Sequence, residues 1–440
     1  MAPVVVLCDG TWCGRETGTE SNISELAKII GINVDNPDPD GSCYLHTPHT
    51  IHARYHNGVG LGSTFLDYLF NGVTAQDLAD ECINAYRFIV NHYRAGDEIW
   101  LFGLSRGAYT VRCVAGMINN CGIVRNRGTE LEISLLCREV YRIYRSRDDI
   151  NAPGSRQSIA FRKRKSWPLI GDEAKGESRR LPPVRFMGIF DTVGELGIPT
   201  FTGGVGLDWP TFYDNKVSHV VDQVCHLVSL HDRFYIFQPC LASREDPTLP
   251  GIHEEWLPGV HYDLGRQSFR FFRLAGGSLL ERVLARWNFA NMIIEPNSVL
   301  ADLALLKMLK SIEGTDVDRS IISTATLHRN IRGLQEAIVA PCRSLGDGDV
   351  YANITKYGPF GRILMRIFTM GSEIAPAVMQ LLFDLRDRLI PGDNAGVYAF
   401  EQTDSQVSEE QSIESLAKVT GERYPSKTLQ MWQLRRSGTV

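Results

Sequence analysis

Apolar residues in this chain fall into short unbroken runs and into stretches with helical spacing, and the two alternate. The first run, Pro3 to Cys8, is rich in valine and stops at Asp9-Gly10-Thr11-Trp12, which predicts a buried strand feeding a loop. Ser21 and Asn22 then offer a cap to a helix through Leu26, Ala27, Ile29 and Ile30. Arg54-Tyr55-His56 reads as a second strand entering the glycine loop Gly58-Val59-Gly60-Leu61-Gly62, and residues 75–94 carry helical periodicity. The clearest buried strand runs from Asp97 to Gly103, and Ser105-Arg106-Gly107 turns it into a helix over 107–121. A further strand, Val184 to Phe190, ends at Asp191, and a weaker one at Glu255-Trp256-Leu257 ends near Gly259-Val260-His261.

Strands alternating with helices predict an α/β fold, a doubly wound and mainly parallel sheet. Between the helix of 107–121 and the strand at 184 lies a basic, Pro/Gly-interrupted stretch, 146–183, which reads as a solvated insertion loop around Arg162-Lys163-Arg164-Lys165. Helical spacing returns in 277–312 (Leu279, Leu280, Val283, Leu284; Leu303, Leu305, Leu306, Leu309) and in 360–390 (Met365, Ile367, Phe368, Met379, Leu381, Leu382). The expected division is a catalytic α/β domain over 1–272, a helical cap over 273–400 and a polar C-terminal segment over 401–440.

Composition narrows the class. Of 440 residues 43% are hydrophobic, and 46 Lys+Arg against 51 Asp+Glu leave a net charge of −5, which excludes a disordered, collagenous or fibrous chain. No global positive field draws the protein to nucleic acid, so no nucleic-acid partner is expected, and a nuclear or DNA-binding role would rest on residues 162–165 alone. The ten cysteines show no metal-ligand spacing and read as reduced core residues. No apolar run reaches the roughly 18 residues of a membrane span, and Met-Ala-Pro enters the first strand without a basic leader. The expected location is therefore cytoplasmic, with at most transient contact with a membrane surface.

The chemistry centres on Gly103-Leu104-Ser105-Arg106-Gly107, a G-x-S-x-G sequence at the end of a strand and the start of a helix. That is the setting of a nucleophile elbow, in which glycines allow a strained turn and the serine hydroxyl stands proud of the sheet. A serine needs a base, and the base an orienting carboxylate. In chain order Asp191 fits the acid and His261 the base, each following a strand. Asp191 has a plainer role open to it as a helix cap, and His261 as a hydrogen-bonded core histidine. His226, His231 and His253 also follow Asp191, and Asp263 is a rival carboxylate. The N–H of Arg106 is one candidate oxyanion donor, and Gly10 or Thr11, after the first strand, the other. Asp9 reads most simply as a brace for that loop, and Trp12 and Asp263 as further support. No metal constellation and no cofactor-binding loop is present in the pattern, so neither is expected.

Five blocks in order carry a resemblance: Val5-Val6-Leu7-Cys8-Asp9-Gly10-Thr11-Trp12, Tyr55-His56-Asn57-Gly58-Val59-Gly60, Phe102-Gly103-Leu104-Ser105-Arg106-Gly107-Ala108, Gly188-Ile189-Phe190-Asp191-Thr192-Val193-Gly194 and Trp256-Leu257-Pro258-Gly259-Val260-His261-Tyr262-Asp263-Leu264-Gly265. Over about residues 3–270 the chain resembles the α/β-hydrolase family of unknown-function domains that includes the phospholipase catalytic domain of bacterial type VI secretion effectors. The resemblance implies Ser105 as nucleophile, Asp191 as acid and His261 as base, with the Asp9-Gly10-Thr11 loop beside the oxyanion site. One departure is Gly265-Arg266-Gln267-Ser268, where family members commonly continue with further glycines and an aromatic. The helical remainder looks more like that of fungal intracellular members than like the membrane-targeting modules of the bacterial effectors.

The expected activity is thus a cofactor-independent serine hydrolase of a carboxylic ester. The resemblance implies a lipid ester; a small ester, thioester or lactone of specialised metabolism stands beside it. The alternative from another class is a protein that keeps the fold for a non-hydrolytic or binding role.

Overall fold

The computed structural model describes residues 2–10, 20–35, 43–47, 51–58, 75–146, 148–168, 182–193, 216–234, 237–243, 252–270, 293–340, 343–350, 385–391, 396–397 and 424–437. Its strands are β1 (Val4–Cys8), β2 (Cys43–Thr47), β3 (Ile51–His56), β4 (Ile99–Leu104), β5 (Val184–Phe190), β6 (Val221–Ser229), β7 (Ile252–Leu257), the short pair β8 (Phe269–Arg270) and β9 (Ile293–Ile294), and β10 (Gly396–Val397). Eight of them form one sheet in the order β10-β7-β6-β5-β4-β1-β3-β2, and β8 pairs with β9 separately. Within the large sheet only β2 runs antiparallel to its neighbour.

The unbroken apolar strands are explained by burial on both faces. Along β1, Val4, Val6 and Cys8 join a core with α2 (Ala75–His92), α3 (Arg106–Cys121) and α4 (Glu130–Arg145). Val5 and Leu7 join a second core with α1 (Asn22–Ile30), α7 (Ser298–Thr315) and α8 (Thr324–Val339) on the opposite face. Leu305, Met308, Leu309 and Ile312 of α7 pack in that core with Phe102 and Phe186 of the sheet, so this part of the predicted cap is a covering layer of the sheet. The apolar residues singled out at 279–284 and 365–382 lie outside the described residues, as does most of 401–440.

Local chemistry sets the helix ends. The Ser21 hydroxyl accepts from the Ser24 N–H at the start of α1, and Thr129 and Glu132 close a reciprocal capping box on α4. The predicted loop at 146–183 requires correction: it contains a 3₁₀ turn (Asp149–Asn151) and helix α5 (Arg156–Lys165). Ser155 caps that helix, and Arg162, Lys163, Arg164 and Lys165 occupy its last turn, where cations complement the helix dipole. Arg162 donates to the carbonyls of Asn120 and Pro153, tying α5 to α3 and to its own approach.

The chain leaves β1 for β3 on one side and returns to lay β4 to β7 on the other. This makes the β1/β4 crevice the switch point of the sheet, where ligands of doubly wound folds bind outside the carboxyl ends of strands. Asp9 follows β1, Ser105 follows β4, Asp191 follows β5, and His261 opens the short helix α6 (His261–Gly265) after β7.

Candidate active site

Ser105 caps α3 with φ 56° and ψ −119°, a positive-φ conformation that a side-chain-bearing residue adopts only under constraint. Its flanking glycines show what imposes it. A Cβ on Gly103 would lie 2.5 Å from the Ala108 Cα, and one on Gly107 would lie 2.1 Å from the carbonyl oxygen of Cys8 in β1. The strand, the turn and the first helical turn therefore approach closer than any side chain permits. The Ser105 N–H donates to the Phe190 carbonyl (3.0 Å) and the Asp191 N–H to the Leu227 carbonyl (2.7 Å), so the parallel ladder is carried into both loops.

The side chains of Ser105, His261 and Asp191 converge. Ser105 Oγ is 2.9 Å from His261 Nε2, and His261 Nδ1 is 2.7 Å from Asp191 Oδ2. A carboxylate only accepts, so its contact fixes a proton on Nδ1 and leaves Nε2 as the acceptor facing the serine hydroxyl. All three residues are buried. The Phe237 ring stacks on the imidazole, with centroids 4.5 Å apart and planes at 22°.

Asp191 also has a positive φ (38°), and its carboxylate is saturated. Oδ1 accepts from the Ser229 N–H (2.9 Å) and from an Arg388 guanidinium nitrogen (2.6 Å); Oδ2 accepts from the Ser229 hydroxyl (3.0 Å), the second Arg388 nitrogen (3.0 Å) and His261. Burial by itself pushes this carboxyl up, but the Arg388 charge and the His261 contact outweigh it and hold Asp191 well below the usual carboxylate range.

Asp263 lies elsewhere. It accepts from the Val260 N–H (2.9 Å), the Asn297 N–H (2.7 Å) and the Tyr424 hydroxyl (2.8 Å), anchoring the turn that presents His261. The His261 backbone N–H donates to Asp232 (2.9 Å). Of the other histidines, burial and the Arg112 charge lower His226 to about 3, and burial lowers His231, which accepts from the Gly259 N–H, to about 4. Both are therefore neutral and built into the frame. His253 is exposed and contacts Glu255.

Around the oxyanion side, Asp9 braces its loop. Its carboxylate accepts from the Gly10 N–H (2.7 Å), the Tyr55 hydroxyl (2.6 Å) and the Ser21 hydroxyl. The Gly10 donor is thus engaged by Asp9, while Thr11 and Trp12 lie outside the described residues. Arg106 is the first residue of α3, where backbone N–H groups have no acceptor within the helix. Below it, Glu81 is buried; burial raises its carboxyl to about 8 against opposing contributions from the Thr110 hydroxyl and the Arg106 charge.

Residues 3–306 match the family described as T6SS phospholipase effector Tle1-like, catalytic domain. The chain belongs to this family. Beyond the family match, the chain is 26% identical over 245 residues to the uncharacterized protein YEL023C of Saccharomyces cerevisiae, a region that is 52% of this chain and 31% of the yeast protein. The chain thus matches less than a third of that relative's length. Among solved structures, an uncharacterized protein from Pseudomonas aeruginosa aligns at 16% identity and TM-score 0.33, over 77% of this chain and 51% of that one. The Tle1 effector bound to the VgrG spike of the type 6 secretion system aligns at 14% identity and TM-score 0.30, over 77% of this chain and 80% of that one. No helix among the described residues of this Tle1-like chain is long and apolar enough to cross a membrane.

Four residues at the site escape the sequence reading: Ser229, Asp232, Phe237 and Arg388. The first three sit on or just after β6, a strand the apolar pattern does not single out. Arg388 stands in Arg386-Asp387-Arg388, inside the stretch read as part of the helical cap, and nothing in its spacing tells which arginine is fully buried.

Proposed function

We propose that this protein is a serine hydrolase that cleaves a carboxylic ester of a lipid. Ser105 Oγ attacks the acyl carbonyl while His261 Nε2 takes its proton. The imidazolium so formed is held by Asp191 and then protonates the leaving alcohol. The N–H of Arg106 binds the oxyanion of the tetrahedral intermediate, and because Asp9 engages the Gly10 N–H, the second donor falls to Thr11. Water, activated by the same histidine, then frees the acid from Ser105.

The observation that carries this reading is the hydrogen-bonded line from Ser105 Oγ through His261 to Asp191 Oδ2 at a strained strand-to-helix turn. Such a turn persists only where the surroundings impose it, and strain of this kind clusters at reactive sites. The lipid substrate is supported by membership of a family described by its phospholipase effectors. Within this reading, residues 1–272 form the catalytic unit and the described helices beyond it complete its cover; the protein works in the cytoplasm, touching membrane surface only to reach substrate.

The test is release of fatty acid from phospholipid vesicles, run beside short acyl esters, thioesters and lactones, with Ser105→Ala as control. Release from phospholipid that disappears in Ser105→Ala is expected. Turnover only of thioesters or lactones would move the substrate class. No turnover of any of them, with native folded protein, would favour a non-hydrolytic role for the fold.

A further inference from the structure

The guanidinium of Arg388 has no exposure to solvent, and its two terminal nitrogens gather around the Asp191 carboxylate and its neighbours, while Nε has no hydrogen-bonding partner among the described residues. It bridges both oxygens of Asp191, donates to the Ser229 carbonyl and hydroxyl (2.6 Å each), and reaches the Phe237 carbonyl. Phe237 is the residue whose ring stacks on His261. One side chain therefore ties together the acid, the serine that also supports the acid, and the platform under the base.

Arg388 comes from a segment, 385–391, that lies about eighty residues beyond the end of the family match at 306. That segment is fastened on both sides of the arginine. Leu385 bridges to Phe234, the Arg386 N–H donates to the Arg233 carbonyl (2.7 Å), and Asp387 pairs with Arg233 (3.2 Å) while accepting from the Lys427 N–H (3.0 Å). A buried guanidinium is costly to desolvate and is retained only where its partners repay it.

We propose that Arg388 is a positioning residue of the active site, a clamp from outside the matched catalytic domain that holds the Asp191 carboxylate aimed at His261 and seats Phe237 beneath the imidazole. The proposal rests on the serine-hydrolase reading above and deepens it.

The clamp has an electrical consequence. Asp191 and Arg388 together carry no net charge, so removing the guanidinium leaves an uncompensated carboxylate against the imidazole. Among the described residues, the other charged or titratable groups facing this pair are Asp232, which accepts from the His261 backbone and whose carboxyl burial raises, and His226 on β6, held neutral, with Arg112 behind it. All are unchanged when Arg388 alone is replaced.

The experiment is the rate of fluorophosphonate labelling at Ser105, followed from acid to alkaline pH in full-length wild type, Arg388→Met and Arg388→Lys, with thermal unfolding as the folding check. This readout requires no knowledge of the substrate. For Arg388→Met, loss of the cation is expected to move the acidic limb up by about one pH unit, because neighbouring charges shift titrations by that order. Its labelling at neutral pH should slow by about tenfold or more, since the acid and base lose their fixed geometry. Arg388→Lys keeps the charge but not the two-pronged contact, so its limb should stay at the wild-type position while labelling is slowed.

A folded Arg388→Met with wild-type rate and limb overturns the proposal. If the Met variant does not fold, an Arg388→Lys that labels as fast as wild type overturns it equally, and a Lys limb displaced by a full unit overturns the charge argument. A wild type that fails to label at Ser105 instead refutes the hydrolase reading, and the proposal with it.

Discussion

Replacing Glu81 with glutamine should make the protein more stable at alkaline pH, and the size of the effect follows from where this carboxyl sits. Glu81 is buried on α2 under the first turns of α3; its Oε2 meets the Thr110 hydroxyl at 3.2 Å, and its Oε1 has no hydrogen-bonding partner among the described residues. Burial raises the folded-state value from 4.5 to about 8. The unfolded chain releases this proton near the ordinary carboxylate value, whereas the folded chain keeps it, so across that window the native state binds more protons and stability falls as pH rises. At about 1.4 kcal/mol per unit, the cost at pH 7 is roughly 3 kcal/mol relative to pH 4, growing by about another 1 kcal/mol by pH 8. Glu81→Gln keeps the shape and a donor but removes the titration. Urea unfolding of both proteins at pH 5, 6, 7 and 8 should give curves that diverge with rising pH, the variant ahead by a few kcal/mol at pH 8. Parallel curves would refute the reasoning, because they would mean that Glu81 titrates alike in the folded and unfolded chain.

Other outcomes follow from the same structure. Asp191→Asn should lower the rate of Ser105 acylation by about 10⁴-fold, because an amide no longer enforces the Nδ1 proton. It should also destabilise the fold by about 3–5 kcal/mol by leaving the Arg388 cation buried without its anion; labelling kinetics and urea titration read the two effects separately. Gly107→Ala places a Cβ 2.1 Å from the Cys8 carbonyl, so α3 must lift off β1; a sharp drop in soluble yield or melting temperature is expected, and a wild-type melting curve would contradict the packing.

Much of the site was legible because its chemistry is local in sequence. Ser105 stands between two glycines whose need is visible in the string, and Asp191 and His261 each follow an apolar run that reads as a strand. The choice between Asp191 and Asp263 for the carboxylate against His261 Nδ1 was not legible, since both are carboxylates near strand ends, and it took the 2.7 Å contact to separate them. Strand β6 escaped because Asp222 and Gln223 interrupt its apolar pattern early, although the rest of the strand is buried. Strand β2 escaped because Tyr44 is exposed at the sheet's edge and only one neighbour pairs with it. Helix α5 escaped for a different reason: only Ser158 and Phe161 are buried along it, so its stability comes from a serine cap, a C-terminal run of cations and the Arg162 contacts rather than from an apolar stripe. Arg388 is the extreme case, a charge whose burial is set by a partner almost two hundred residues earlier in the chain.

The central claim is that Ser105 is an activated nucleophile. Treating native protein and Ser105→Ala with a fluorophosphonate probe and locating the adduct by mass spectrometry tests it most directly. The account predicts a single adduct on Ser105 in the native protein and none in the variant; a folded native protein that takes no label, or takes it equally in the variant, would contradict it.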